Sequence, residues 1–105
     1  MNLPTSSDEL LRHLAAIQIE LDGLEKREAE LRSALDHVEH DSRRCHDALE
    51  RAGWRSEKTE ARGAMLAESR RAILGDREKN RALHAQLAER LALVRERLNE
   101  NTHND

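Results

Sequence analysis

Between Leu10 and Leu35 an apolar residue returns alternately every three and every four positions, a spacing that closes off most folds open to a short chain. Leu10, Leu14, Ile17, Leu21, Leu24, Leu31 and Leu35 fall on one narrow stripe, broken only by Glu28. A half-buried strand would alternate every second residue, whereas this period is the a/d seam of a coiled coil. In heptad letters Leu14, Leu21, Glu28 and Leu35 occupy a, and Leu10, Ile17, Leu24 and Leu31 occupy d.

The seam stays in phase through the rest of the chain. Val38, Ser42, Cys45, Leu49 and Ala52 continue it, and then it fades. Ser56, Thr59, Gly63, Leu66, Arg70, Ile73, Arg77, Asn80 and His84 hold the same positions before Leu87, Leu91, Val94 and Leu98 restore it. A strict heptad predicts left-handed supercoiling of paired helices. Composition agrees with a long-helix reading. Among 105 residues there is no Phe or Tyr and a single Trp, while charged residues reach 37%. A compact core of that size would draw on aromatic bulk, which buries the most area per residue.

The chain divides into a lead-in at 1–6, a helical arm at 7–52, a possible turn at 53–56, a second arm at 56–100 and a frayed tail at 101–105. Ser6 and Glu9 have the spacing of a capping box, and Asp8 adds negative charge to the first helical turn. Gly53 could end one helix and Ser56 cap the next. Gly75-Asp76 is a weaker place for a break, because a glycine inside a helix costs only about 1 kcal/mol.

Charge decides how the arms pair. Residues 1–52 carry 12 acidic and 7 basic side chains, and residues 53–105 carry 9 and 11, so the halves attract. In a parallel in-register pair Glu20 would oppose Glu25, and Arg90 would oppose Arg95. In an antiparallel pair whose residue numbers total 108, Leu10 meets Leu98, Leu14 meets Val94 and Glu28 meets Asn80. Glu20 then faces Arg90, Glu25 faces Arg81 and His46 faces Glu60. The expected fold is therefore all-α. An antiparallel helical hairpin of arms 7–52 and 56–100 is favoured over one continuous long helix or a three-helix arrangement.

Candidate chemistry is sparse. His37, Asp41 and Cys45 file along one helix face near His40 and His46, ligand types that zinc accepts, but one helix rarely closes a metal site. They are read as solvated side chains around a small seam residue, with no metal, cofactor or catalytic group expected. One cysteine forms no framework of disulfides and suits a reducing compartment. The start of the chain lacks the basic region and apolar run of a secretory signal, and no apolar stretch reaches membrane-spanning length. The expectation is a soluble intracellular protein, cytoplasmic or associated with the cytoskeleton.

Residues 51–81 are enriched in basic side chains and include Trp54, Arg55, Arg62, Arg70 and Arg71, the candidate partner-binding set. An exposed Trp beside arginines is the composition of a protein-binding hot spot. Nucleic acid is disfavoured: the net charge is −3, and the basic residues are interleaved with Glu and lack stacking aromatics other than Trp54. The functional expectation is a non-enzymatic coiled-coil scaffold or adaptor, a homo-oligomer or a subunit of a larger assembly. Its partner would be itself, or another helical or acidic protein. Leu10, Leu14, Ile17, Leu21, Leu24, Leu31, Leu35, Leu87, Leu91, Val94 and Leu98 form its association seam. The alternative is a regulatory or chaperone-like hairpin that masks a partner's helix, and third comes weak nucleic-acid binding through the basic middle.

Overall fold

In the computed structural model, residues 3–52 and 57–104 are described, and all but the lead-in lies in two helices. The first, α1, spans Ser7–Ala52, and the second, α2, spans Glu57–Asn104. They pair antiparallel as a helical hairpin. The expected turn at 53–56, with Trp54 and Arg55, lies outside the described residues.

Helix α1 begins where its sequence asks. The Ser6 carbonyl accepts the Leu10 N–H at 2.9 Å, and Asp8 and Glu9 lie in the first turn, where helix dipole and carboxylate charge attract. The weaker break point does not interrupt the chain, since α2 runs through Gly75 and Asp76. Helix α2 also continues to Asn104 rather than ending near residue 100. The reason is a contact far away in sequence. Asn101 Nδ2 donates to the Thr5 carbonyl at 3.0 Å and to Ser7 Oγ at 3.2 Å, while Thr102 Oγ1 donates back to the Leu98 carbonyl.

The chain divides into two compact units, each a pair of antiparallel helix segments. One unit joins Met1–Arg27 to Asn80–Asp105. Its core is Leu10, Ile17 and Val94, with Leu3, Leu14, Leu21, Leu87, Leu91 and Leu98 packed against them. Leu10 and Val94 are fully enclosed, and burial of each contributes roughly 1.5–3 kcal/mol.

The other unit is Glu28–Lys79. Leu31, Leu35 and Cys45 are buried in it, while Val38, Leu49, Leu66 and Ile73 are half-buried. Small and polar seam residues, Ser42, Thr59 and Gly63 among them, leave this core thin. The Cys45 thiol donates to the Thr59 carbonyl at 3.2 Å, and a Cβ on Gly63 would lie 3.7 Å from its sulfur.

The helical glycines are a reserve of stability. A Cβ at Gly23 or Gly75 would meet nothing within 4 Å, so neither glycine is there for a close approach. Gly23→Ala and Gly75→Ala should each raise stability by about 0.5–1 kcal/mol through helix propensity alone. Urea unfolding measures this, and an unchanged midpoint in both variants would contradict it.

Candidate assembly surface

A heptad pair has a seam, two flanks at e and g, and an outer surface, and each is occupied differently here. The helices run antiparallel, as charge and periodicity favoured, and the residue numbers of contacting pairs total between 103 and 109, with Ser7 and Asn101 at 108. Polar seam residues do not pair as simple opposites. In the first unit Asn80, buried at d, donates from Nδ2 to the Leu24 carbonyl at 2.9 Å. In the second, Arg77 Nε and Nη2 both donate to Glu28 Oε1, at 3.0 and 2.9 Å. That pair is four-fifths enclosed, and the added hydrogen bonding offsets the desolvation of two charges.

On the g flank Arg90 Nη2 lies 3.3 Å from His13 Nε2, one heptad from the expected Glu20, and Glu20 is exposed. The same flank of the second unit carries Arg62 with Asp41 at 3.7 Å. On the e flank Glu25 lies 3.8 Å from His84 and Glu39 lies 3.6 Å from Arg70. His46 lies 3.8 Å from Glu50, one turn along its own helix. An arginine or glutamate stem reaches partners over more than one turn, and an exposed pair is worth only ~0.2–1 kcal/mol. Such charges choose an orientation without fixing each partner.

Most of the candidate association residues line the inter-helix seam. Leu10, Ile17 and Val94 are its buried centre in the first unit, with Leu14, Leu21, Leu87, Leu91 and Leu98 half-buried around them. Leu24 is half-buried and gives its carbonyl to Asn80, while Leu31 and Leu35 are buried in the second unit. Of the candidate partner-binding residues, Arg62, Arg70 and Arg71 each stand beside a carboxylate, from Asp41, Glu39 and Glu68. Their charge is partly matched within the hairpin.

Among the described residues, two of the open grooves each hold about 340 Å³. One, in the second unit, is lined by Asp41, Arg44, Cys45, Ala48, Thr59 and Arg62, and the other, in the first, by Pro4, Glu9, Arg12, His13 and Ala16. In the former the Cys45 thiol is buried and engaged with the Thr59 carbonyl. His46, Asp47 and Glu50 bring ligand atoms within 4.8 Å of one another, but all three are exposed on one helix, unlike the multi-element enclosure of a structural zinc site.

The sequence reading passed over the outer surface. Leu11, Ile19, Leu83 and Leu93 in the first unit and Met65 in the second are half or more exposed. The signal was available: these residues are apolar at positions where a two-helix seam has no use for them. Among the described residues no helix is long and apolar enough to cross a membrane. What fold and surface define together is an all-α antiparallel helical hairpin with an apolar seam and further apolar residues outside it. Compared with known protein families, curated proteins and solved structures, the chain matches none.

Proposed function

We propose that this chain is a non-enzymatic coiled-coil scaffold or adaptor, an intracellular protein that works by joining protein surfaces within a larger assembly. The observation that supports it most is the exposure of large aliphatic side chains beyond the seam, with Ile19 72% and Leu11 53% accessible. Apolar surface left over after the hairpin has closed on itself favours further association.

A second reading keeps its own support. The thin core of the second unit, with a groove beside Cys45 and Met65 71% exposed, suits a hairpin that receives a partner's helix. Sedimentation equilibrium of the purified chain separates the two. A scaffold self-associates stably, giving a mass at least twice the 12.1 kDa of one chain. A masking hairpin stays at the monomer mass and is stabilised only when its partner is added. A monomer throughout the concentration range would reject the scaffold reading.

A further inference from the structure

Charge is divided between the two flanks of the second unit where α1 ends and α2 begins. On the g flank, positions g and c carry Arg44 and Arg51 on α1 and Lys58 and Arg62 on α2, all exposed. Asp41 is the one carboxylate at those positions over residues 41–51 and 58–65. On the e flank at the same level, positions e and b hold Glu50, Glu57 and Glu60 with Arg43 and His46.

The carboxylates of the outer surface do not neutralise the g flank. Asp47, at f, brings an oxygen within 4.8 Å of the ligand atoms of His46 and Glu50, on the e side. Glu68, also at f, turns to Arg71 at b, 3.6 Å away. Asp41 lies 3.7 Å from Arg62 and offsets one cation of the four. Arg51 Nε donates to the Asp47 backbone carbonyl at 3.4 Å. Among the described residues no carboxylate pairs with Arg44, Arg51 or Lys58. The groove of about 340 Å³ in this unit opens between these charges, its lining joining Arg44 and Arg62 to Ala48, Cys45 and Thr59. Met65, one turn on from Arg62 along the same face, is 71% exposed.

We infer that this flank docks an acidic helix of another protein, one that carries carboxylates beside aliphatic anchors. This rests on the second reading above, a hairpin that receives a partner's helix, and names that helix's chemistry. Charge selects the occupant, because guanidinium and ammonium groups without carboxylates attract an anionic surface and repel a basic one. The groove then selects among anionic partners. Ala48 and the Met65 thioether offer apolar contact to a side chain, whereas a nucleic-acid strand is held by stacking aromatics, of which this flank has none among the described residues. The chain's own e flank is a poorer match, since its Arg43 would meet these cations. Shape agrees with a helix: the α1 lining runs from Asp41 to Ala48, about two turns, so a helix laid alongside meets it over its length.

The test uses the full chain and follows fluorescence anisotropy at low salt. The probe is a labelled, Glu-rich peptide of about 20 residues, long enough to hold a helix, with two leucines one turn apart. It should bind, and replacing each Glu by Gln should weaken binding about tenfold or more, as the loss of several ion pairs requires. Arg44→Glu combined with Arg51→Glu should weaken it about as much. Arg32→Glu combined with Arg43→Glu makes the same change of net charge on the e flank, and screening should hold its effect below about twofold. Circular dichroism checks that the helices persist, and Lys58→Glu, on the other helix, carries the test if the first double variant loses them. Equal losses in the two double variants would overturn the site, since net charge alone would then matter. Equal binding of the Gln peptide would overturn the acidic partner and leave a hairpin that receives helices. A single-stranded oligonucleotide bound more tightly than the Glu peptide would overturn the inference in favour of nucleic acid. Binding of neither peptide would overturn it together with the reading it rests on.

Discussion

Leu10→Ala is expected to lower the unfolding free energy by about 2–5 kcal/mol, the range for truncating a fully enclosed leucine. Leu10 is 0% exposed, as is Val94, and with Ile17 they are the buried residues of the first unit's core cluster. The neighbouring leucines are held by their own helices and cannot collapse far into the space. A small domain has only about 5–15 kcal/mol of stability in total, so the loss is a large fraction. Denaturant unfolding followed by circular dichroism measures it. Leu11→Ala, one residue along and 53% exposed, is the control and should change stability by less than about 0.5 kcal/mol. Equal losses in the two variants would mean that the seam is not where the hairpin holds together.

The second large effect has the opposite sign. Asn80 is buried at a d position, 7% exposed, with its side-chain amide on the Leu24 carbonyl. Asn80→Leu forfeits one hydrogen bond, a net loss of about 0.5–1.5 kcal/mol. It buries an aliphatic side chain instead, a gain of about 1.5–3 kcal/mol, so the variant should be more stable by roughly 1–2 kcal/mol. What it should lose is uniqueness. A buried amide in a coiled-coil seam specifies alignment at some cost in stability, because only one alignment satisfies it. The amide spectrum of the variant should then show more than one set of peaks, where the native chain shows one. A more stable variant with a single set would mean that alignment is held elsewhere, and a less stable one would mean that the amide's bond outweighs burial.

Much of this architecture could be read from the residues, for a definite reason. The spacing from Leu10 to Leu35 is a one-dimensional signal of a one-dimensional packing problem, so the helices and their antiparallel sense followed from periodicity and charge. Contacts that join distant parts of the chain were harder to foresee. Asn101 looked like tail, yet its bonds to Thr5 and Ser7 keep α2 helical to Asn104. Glu28 looked like a seam defect facing Asn80, whereas the longer reach of Arg77 makes it half of a two-bond ion pair. Leu11, Ile19, Leu83 and Leu93 were visible as letters but not as surface. Only the observed burial shows that the hairpin leaves them uncovered.

The depth of Cys45 makes that sulfur a clock for motion. Cys45 is 8% exposed and its thiol donates to a carbonyl of the opposite helix, so an alkylating reagent reacts with it far faster when α1 and α2 separate around it. The labelling rate relative to that of a free thiol therefore reports how often this part of the chain opens. Set against global unfolding, the ratio says whether Glu28–Lys79 breathes by itself or parts only when the whole molecule does.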